Sequence, residues 1–111
     1  MQILVRIKRL LLSGRYAFSL KAEVEMFADD ITSRDVIESV INAPAVTKVL
    51  RSRSQRRPAR HEKLYVIVGS TYDGLLIYTK GTIRKIAGED TFYFLVSSKR
   101  WTTDAEIDDE D

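Results

Sequence analysis

Residues 64–98 read LYVIVGSTYDGLLIYTKGTIRKIAGEDTFYFLVSS, and this stretch decides the fold. It contains three segments rich in β-branched and aromatic residues, which are typical of strands, at 64–68, 75–86 and 91–98. The Asp73-Gly74 pair predicts a tight turn between the first two, because glycine readily adopts the positive φ that such turns need. A second short turn precedes the last segment. Turns this short join antiparallel neighbours, so the pattern predicts an antiparallel meander.

Two smaller features belong to the same half of the chain. Gly81 interrupts the second segment, and an isolated glycine within a strand often marks a β-bulge. A bulge there would change the phase of the side chains along that strand. Residues 46–50 predict a further, shorter strand.

The residues before Pro44 follow a helical period instead of a period of two. Helices are predicted at residues 3–12, at 19–28 and from 32 to about 42. Ser19 is a suitable N-cap for the second helix, and Thr32 with Asp35 has the spacing of a capping box. Each helix has a predicted buried stripe: Ile3, Ile7, Leu10 and Leu11; then Leu20, Val24 and Phe27; then Val36, Ile37, Val40 and Ile41.

Helices followed by strands predict an α+β domain. We expect two to three N-terminal helices packed on a three- to four-stranded antiparallel sheet. The helices would cover one face of the sheet and leave the other face polar and available.

The charge of the chain is segregated. The 111 residues have a net charge of +2, but residues 104–111 contain six acids and no base. The remaining residues 1–103, which we predict to form one domain, therefore carry +8. A basic domain favours phosphate-bearing partners, and the acidic tail has too little apolar content to fold.

The composition excludes several classes of protein. There is no cysteine, so disulfide scaffolds, cysteine nucleophiles and zinc–thiolate sites are excluded, and the chain fits a reducing cytoplasm. The apolar N-terminal stretch is broken by Arg6, Lys8 and Arg9. It therefore resembles neither a signal peptide nor a membrane span, and no membrane partner is expected.

The most basic stretch is residues 48–63, with seven basic residues, one acid and the only histidine of the chain. Such a segment is expected at the surface, where it would attract a polyanion. The alternative is a solvated basic loop without a ligand. The predicted nucleic-acid contacts are Arg51, Arg53, Arg56, Arg57, Arg60, Lys80 and Arg100.

The chain also contains the groups that metal-independent RNA cleavage needs: a base for the 2′-hydroxyl, an acid for the leaving oxygen and cations for the phosphorane. His61 is the candidate base, because an unperturbed histidine titrates near neutrality. Tyr78 is a candidate acid or stacking group, and Arg84 and Lys99 are candidate cations. The alternatives are a surface histidine and a tyrosine that is half-buried in a sheet. Nothing in the sequence suggests a metal or another cofactor.

Residues 19–39, SLKAEVEMFADDITSRDVIES, resemble the Ser-x-His-Ala … Met … Ile-Thr … Asp-Val helix pair of small toxin-like domains. Residues 60–99 resemble the Leu-Tyr-Val … Gly-x-Thr … Asp-Gly hairpin and following strands of the same families. These families lie near the RelE/ParE superfamily and the MqsR-like toxins, and the resemblance covers about residues 14–100.

The resemblance implies a RelE/microbial-RNase-like fold and a toxin of a toxin–antitoxin system. Many such toxins are endoribonucleases of the mRNA interferase type, and the resemblance implies RNA cleavage by 2′-hydroxyl attack. The implied partners are RNA, free or on the ribosome, and a protein antitoxin. Lys21 stands where these families have histidine, and lysine is a poor base at neutral pH. The alternatives are therefore a non-catalytic module that binds nucleic acid or a protein partner, or an interaction domain that docks a partner on a strand edge.

Overall fold

The computed structural model describes residues 2–51, 62–86 and 90–102, and within these ranges the chain forms three helices and five strands. Their order is α1 (Ile3–Leu12), β1 (Tyr16–Phe18), α2 (Leu20–Asp29), α3 (Ser33–Asn42), β2 (Lys48–Arg51), β3 (Lys63–Ser70), β4 (Leu76–Ile86) and β5 (Asp90–Arg100). The predicted α+β class and the three helices are confirmed. The predicted acidic tail lies outside the described residues.

The sheet is larger than predicted and it is mixed. Its order is β1-β5-β4-β3-β2, and β2 to β5 form the predicted antiparallel meander. The additional strand is β1, which pairs in parallel with β5, with Tyr16 opposite Tyr93. The prediction of three to four antiparallel strands is therefore wrong. A three-residue strand leaves no alternating pattern to find, and its partner lies far away in the sequence.

A β-bulge is present at the predicted place, but its extra residue is on β5. Gly81 pairs with Leu95 and Lys80 pairs with Ser97, so Val96 is the inserted residue. The pairing of β4 with β3 is regular across the same position. Side chains along β4 therefore keep their alternation, and it is the downstream half of β5 that changes face.

Helices α1 and α3 supply the core face that their patterns predict. Ile7, Leu11, Val36 and Val40 are buried, and the other members of the two stripes pack against them. The sheet contributes Ile67, Ile77, Tyr93 and Leu95 from three strands. The capping box of α3 is formed: Asp35 N–H donates to Thr32 Oγ1 at 3.1 Å, and Thr32 N–H donates to Asp35 Oδ2 at 3.0 Å.

Helix α2 buries the opposite face from the one predicted. Leu20, Val24 and Phe27 are 76%, 59% and 89% exposed, whereas Ala22 and Met26 are buried. The Ser19 cap is confirmed, because its Oγ accepts from Ala22 N–H at 3.0 Å. The predicted stripe was wrong because it was selected as the most apolar face of the helix, without regard to the polar contacts of the other face.

The face of α2 that packs on the domain carries two carboxylates, which bind backbone amides because the helix lies along the edge of β5. Glu25 Oε1 accepts from Ser98 N–H at 3.0 Å, and Asp29 Oδ2 accepts from Arg100 N–H at 2.8 Å. Four residues on a helix and two residues on a strand both advance about 6 to 7 Å, so the two carboxylates match successive edge amides. The helix thereby occupies the edge that β1 leaves free.

The face of the sheet opposite the core is closed at its centre. Val66, Tyr78, Lys80, Thr82 and Ser97 occupy it, and all five are buried. Three of the five are polar, as predicted, but none is exposed, so the prediction that this face is available is wrong for its central part. No helix in the described residues is long and apolar enough to cross a membrane.

Candidate functional site

The predicted site residues divide into two groups. His61, Arg53, Arg56, Arg57 and Arg60 lie outside the described residues. The others are described, and they occupy different parts of the sheet: Arg51, Tyr78, Lys80, Arg84, Lys99 and Arg100.

Tyr78 and Lys99 are brought together by the register of β4 and β5. They are cross-strand partners, and Lys99 Nζ lies 5.3 Å from the centre of the Tyr78 ring. The ring is only 6% exposed, so the lysine covers it as a cation–π contact. Two predicted catalytic residues therefore do meet, with the tyrosine buried.

The remaining predicted cations do not converge on this pair. Lys80 shares its face but is only 7% exposed. Arg100 pairs across from Ile77, and its Nε donates to the backbone oxygen of Asp29 at 2.9 Å. Arg51 is exposed on β2, at the opposite edge of the sheet from β1.

Arg84 is held in a fixed orientation at the other end of this face. Its Nε donates to Glu62 Oε2 at 2.8 Å and its Nη2 to Oε1 at 3.1 Å, which is a bidentate pair. The guanidinium carbon lies 4.5 Å from the centre of the Phe94 ring. The hydrogen bond to Glu62 raises the pKa of Arg84 above its ordinary value, so the stacked group is a permanent cation.

Phe92 and Phe94 form an aromatic surface beside this arginine. Their rings are 6.3 Å apart at 74°, an edge-to-face arrangement. They border a surface cavity of about 440 Å³. Its lining residues come from β4, β5, β1 and the turn before β1: Gly14, Arg15, Tyr16, Ala17, Arg84, Thr91, Phe92 and Phe94. We call this the aromatic cavity.

The sequence did not identify the aromatic cavity. Its detectable sign was the alternation of β5, in which Phe92 and Phe94 share one face while Tyr93 and Leu95 share the other. Only one of the two faces can enter the core that the helices cover. Tyr93 and Leu95 enter the core, so Phe92 and Phe94 lie on the opposite side of the sheet.

A second cavity of about 330 Å³ adjoins the first, because Thr91 lines both and Glu62 of the second binds Arg84 of the first. We call it the cationic cavity. Three exposed bases from three elements line it: Arg6, Lys63 and Lys85. Within the described residues none of the three forms an ion pair, and the one carboxylate among the lining residues is occupied by Arg84.

Arg84 and Lys85 alternate along β4, so the aromatic cavity and the cationic cavity lie toward opposite faces of the sheet and meet at Thr91. One can hold a planar group and the other an anion, and a ligand that uses both must pass around this end of the sheet. Aromatic rings and a guanidinium plane accept a stacked heterocycle, and unpaired lysine and arginine side chains accept phosphate. A metal site has no comparable support, since the described part of the chain holds no cluster of three or more acids or histidines suited to a metal ion.

Comparison with known protein families, with curated proteins and with solved structures finds no match to this chain.

Proposed function

We propose that this protein binds single-stranded RNA around the end of the sheet at Thr91, from the aromatic cavity on one face to the cationic cavity on the other. The observation that carries the proposal is Arg84, whose guanidinium Glu62 holds over the Phe94 ring at the border of an open cavity. A guanidinium fixed in this way keeps its shape without a ligand, so little side-chain entropy is lost when a base stacks there.

Stacking accounts for the preference for a single strand. Unpaired bases expose their faces, and a base stacked on an aromatic side chain contributes about 1–3 kcal/mol. The aromatic cavity offers two rings, Phe92 and Phe94, in addition to the Arg84 plane. A double helix keeps its bases stacked on one another and could not use this surface.

The cationic cavity would hold the backbone of the same strand. Arg6, Lys63 and Lys85 converge there from α1, β3 and β4, and their charges have no carboxylate partner among the described residues. Phosphate contacts of this kind provide affinity without reading sequence. Of the basic stretch 48–63, Arg51 pairs across from Lys63 in the β2–β3 ladder, so a further exposed base lies beside this cavity.

The test is fluorescence anisotropy with a labelled single-stranded oligonucleotide. We expect Phe94→Ala to weaken binding about tenfold or more, because one stacking surface and the support of Arg84 are lost together. Arg84→Lys should also weaken binding, since lysine cannot form the planar bidentate pair with Glu62.

Two matched controls are available. Tyr72→Ala removes an exposed aromatic ring from the turn between β3 and β4, away from both cavities. Arg34→Ala removes an exposed cation from α3, whose ion pair among the described residues is with Glu38. Both variants should bind like the parent. Equal binding by the parent and Phe94→Ala would remove the aromatic cavity from the proposal.

A second candidate, the RelE-type toxin ribonuclease with an antitoxin partner, is favoured by the meeting of Tyr78 and Lys99 on one sheet face. Its test is to incubate labelled RNA with the protein and a chelator, and to look for products with cyclic phosphate ends. Tyr78→Phe keeps the ring but removes the proton, and should lower cleavage by about a hundredfold or more if Tyr78 is the acid. RNA that the parent binds but leaves intact would reject catalysis and retain binding.

A further inference from the structure

The outer face of α2 is an apolar stripe with an acidic border. Leu20, Val24 and Phe27 lie at positions i, i+4 and i+7, directly opposite the buried Ala22 and Met26. The helix carries one base and three acids, and Glu23 and the capping residue Asp30 are exposed next to the stripe. An exposed apolar stripe on a soluble domain commonly marks an interaction site.

The outer face of α1 has the same spacing and the opposite charge. Val5, Arg9 and Leu12 also lie at i, i+4 and i+7, and all three are exposed. The helix has three bases and no acid. Both stripes are therefore about 10 Å long, and one is bordered by acids while the other is centred on a base.

We propose that the α2 stripe of one molecule packs on the α1 stripe of a second copy of this chain. Apolar side chains at both ends of one stripe then meet apolar side chains at both ends of the other. The methylene stem of Arg9 covers Val24 of the other copy, and its guanidinium reaches Glu23 beside it. If each molecule offers both helices, two such contacts form about one two-fold axis.

Charge selects this pairing over the other ways in which two copies could meet. Packing α2 on its own copy in antiparallel fashion would bring Glu23 close to its symmetry mate, and packing α1 on its own copy would bring Arg9 close to Arg9. Like charges in contact are unfavourable, whereas the α1–α2 pairing brings opposite charges together.

The first test is sedimentation equilibrium of the full chain over about a hundredfold range of concentration, because the associated fraction follows mass action. The parent should self-associate. Phe27→Asp places a charge in the stripe and should raise the dissociation constant about tenfold or more. Tyr72→Asp, which changes another exposed aromatic residue outside both stripes, should leave the dissociation constant unchanged.

The second test is an exchange of charges. Arg9→Glu alone and Glu23→Arg alone should each weaken association, and the double variant should restore most of it, because the opposite charges again face each other. Both positions are exposed, so the variants should keep the circular dichroism spectrum of the parent. A parent that stays monomeric overturns the proposal. Loss of association in Phe27→Asp without rescue by the double variant would overturn the assignment to α1 and point to a different occupant of the α2 stripe.

Discussion

At the scale of single residues, the ring of Tyr93 fits in the core only because residue 81 is a glycine. The Tyr93 ring lies against the Gly81 backbone, and a Cβ at Gly81 would come within 2.5 Å of Cζ of the ring. The fully buried hydroxyl of Tyr93 has no hydrogen-bond partner among the described residues. Burial raises the pKa of this hydroxyl well above its ordinary value.

We expect Tyr93→Phe to increase the free energy of unfolding by about 1 kcal/mol at neutral pH, because it removes a buried polar atom that has no described partner and keeps the ring. Urea unfolding followed by circular dichroism measures this change. Tyr72→Phe, at an exposed position, is the control and should have no effect. A loss of more than about 1 kcal/mol in Tyr93→Phe would mean that the hydroxyl is hydrogen-bonded.

The same hydroxyl should lower the free energy of unfolding at alkaline pH. Below about pH 10 Tyr93 is neutral in both the folded and the unfolded chain. Above that pH it ionises only when the chain unfolds, so the parent loses up to about 1.4 kcal/mol per pH unit from this group. Tyr93→Phe should lack this contribution. Parallel stability–pH curves for the parent and the variant would contradict the prediction.

At the scale of elements, the contact of α2 with β5 depends on carboxylates. Glu25 accepts from the Ser98 amide and from Ser97 Oγ at 2.7 Å, and both serines are buried. The exposed Lys21 lies 3.6 Å from the other oxygen of Glu25. One side chain therefore replaces the strand partner that the edge of β5 would otherwise need.

We expect Glu25→Ala to lower the free energy of unfolding by about 2 kcal/mol, because it leaves a buried amide and a buried hydroxyl without an acceptor. Thermal or urea unfolding measures the loss. Lys21→Ala removes the exposed cation that lies 3.6 Å from Glu25 and should change stability by less than about 0.5 kcal/mol. Similar losses in the two variants would show that Glu25 acts only through its ion pair with Lys21.

The elements that the sequence predicted well are those with local determinants. The ends of α3 follow from the Thr32–Asp35 capping box and from Pro44, and the meander follows from alternation and short turns. The elements it missed depend on distant residues. Strand β1 exists because β5 offers an edge, and the buried face of α2 is chosen by the amides of that edge.

The candidate site was predicted only in part for the same reason. Tyr78 and Lys99 meet because Val96 is inserted into β5, and sequence reasoning had placed the irregularity on β4. Arg84 was selected for its charge, but its orientation comes from Glu62, which immediately precedes β3 and was not a candidate.

At the scale of the whole molecule, the two cavities divide the proposed RNA binding into an electrostatic part and a stacking part. In a plot of the logarithm of the association constant against the logarithm of the salt concentration, each phosphate contact to a single strand adds about 0.7 to the negative slope. We therefore expect Lys63→Ala and Lys85→Ala each to make that slope shallower by about 0.7. Anisotropy titrations at a series of salt concentrations measure it.

Phe94→Ala gives the contrasting result in the same experiment. It should weaken binding at every salt concentration and leave the slope of the parent unchanged, because a stacked base releases no counterions. A lower slope in Phe94→Ala, or an unchanged slope in both lysine variants, would contradict the division of roles between the cavities.

The position of β5 also determines when the chain can fold during its synthesis. β1 pairs with β5, and the polar contacts of α2 reach Ser98 and Arg100, more than 70 residues away. The N-terminal third of the protein therefore leaves the ribosome before any of these partners has been translated. β1 and α2 therefore lack their β5 contacts until the last strand has been synthesised. A truncated chain that ends before β5 would lack these contacts permanently and expose the apolar side chains that they cover.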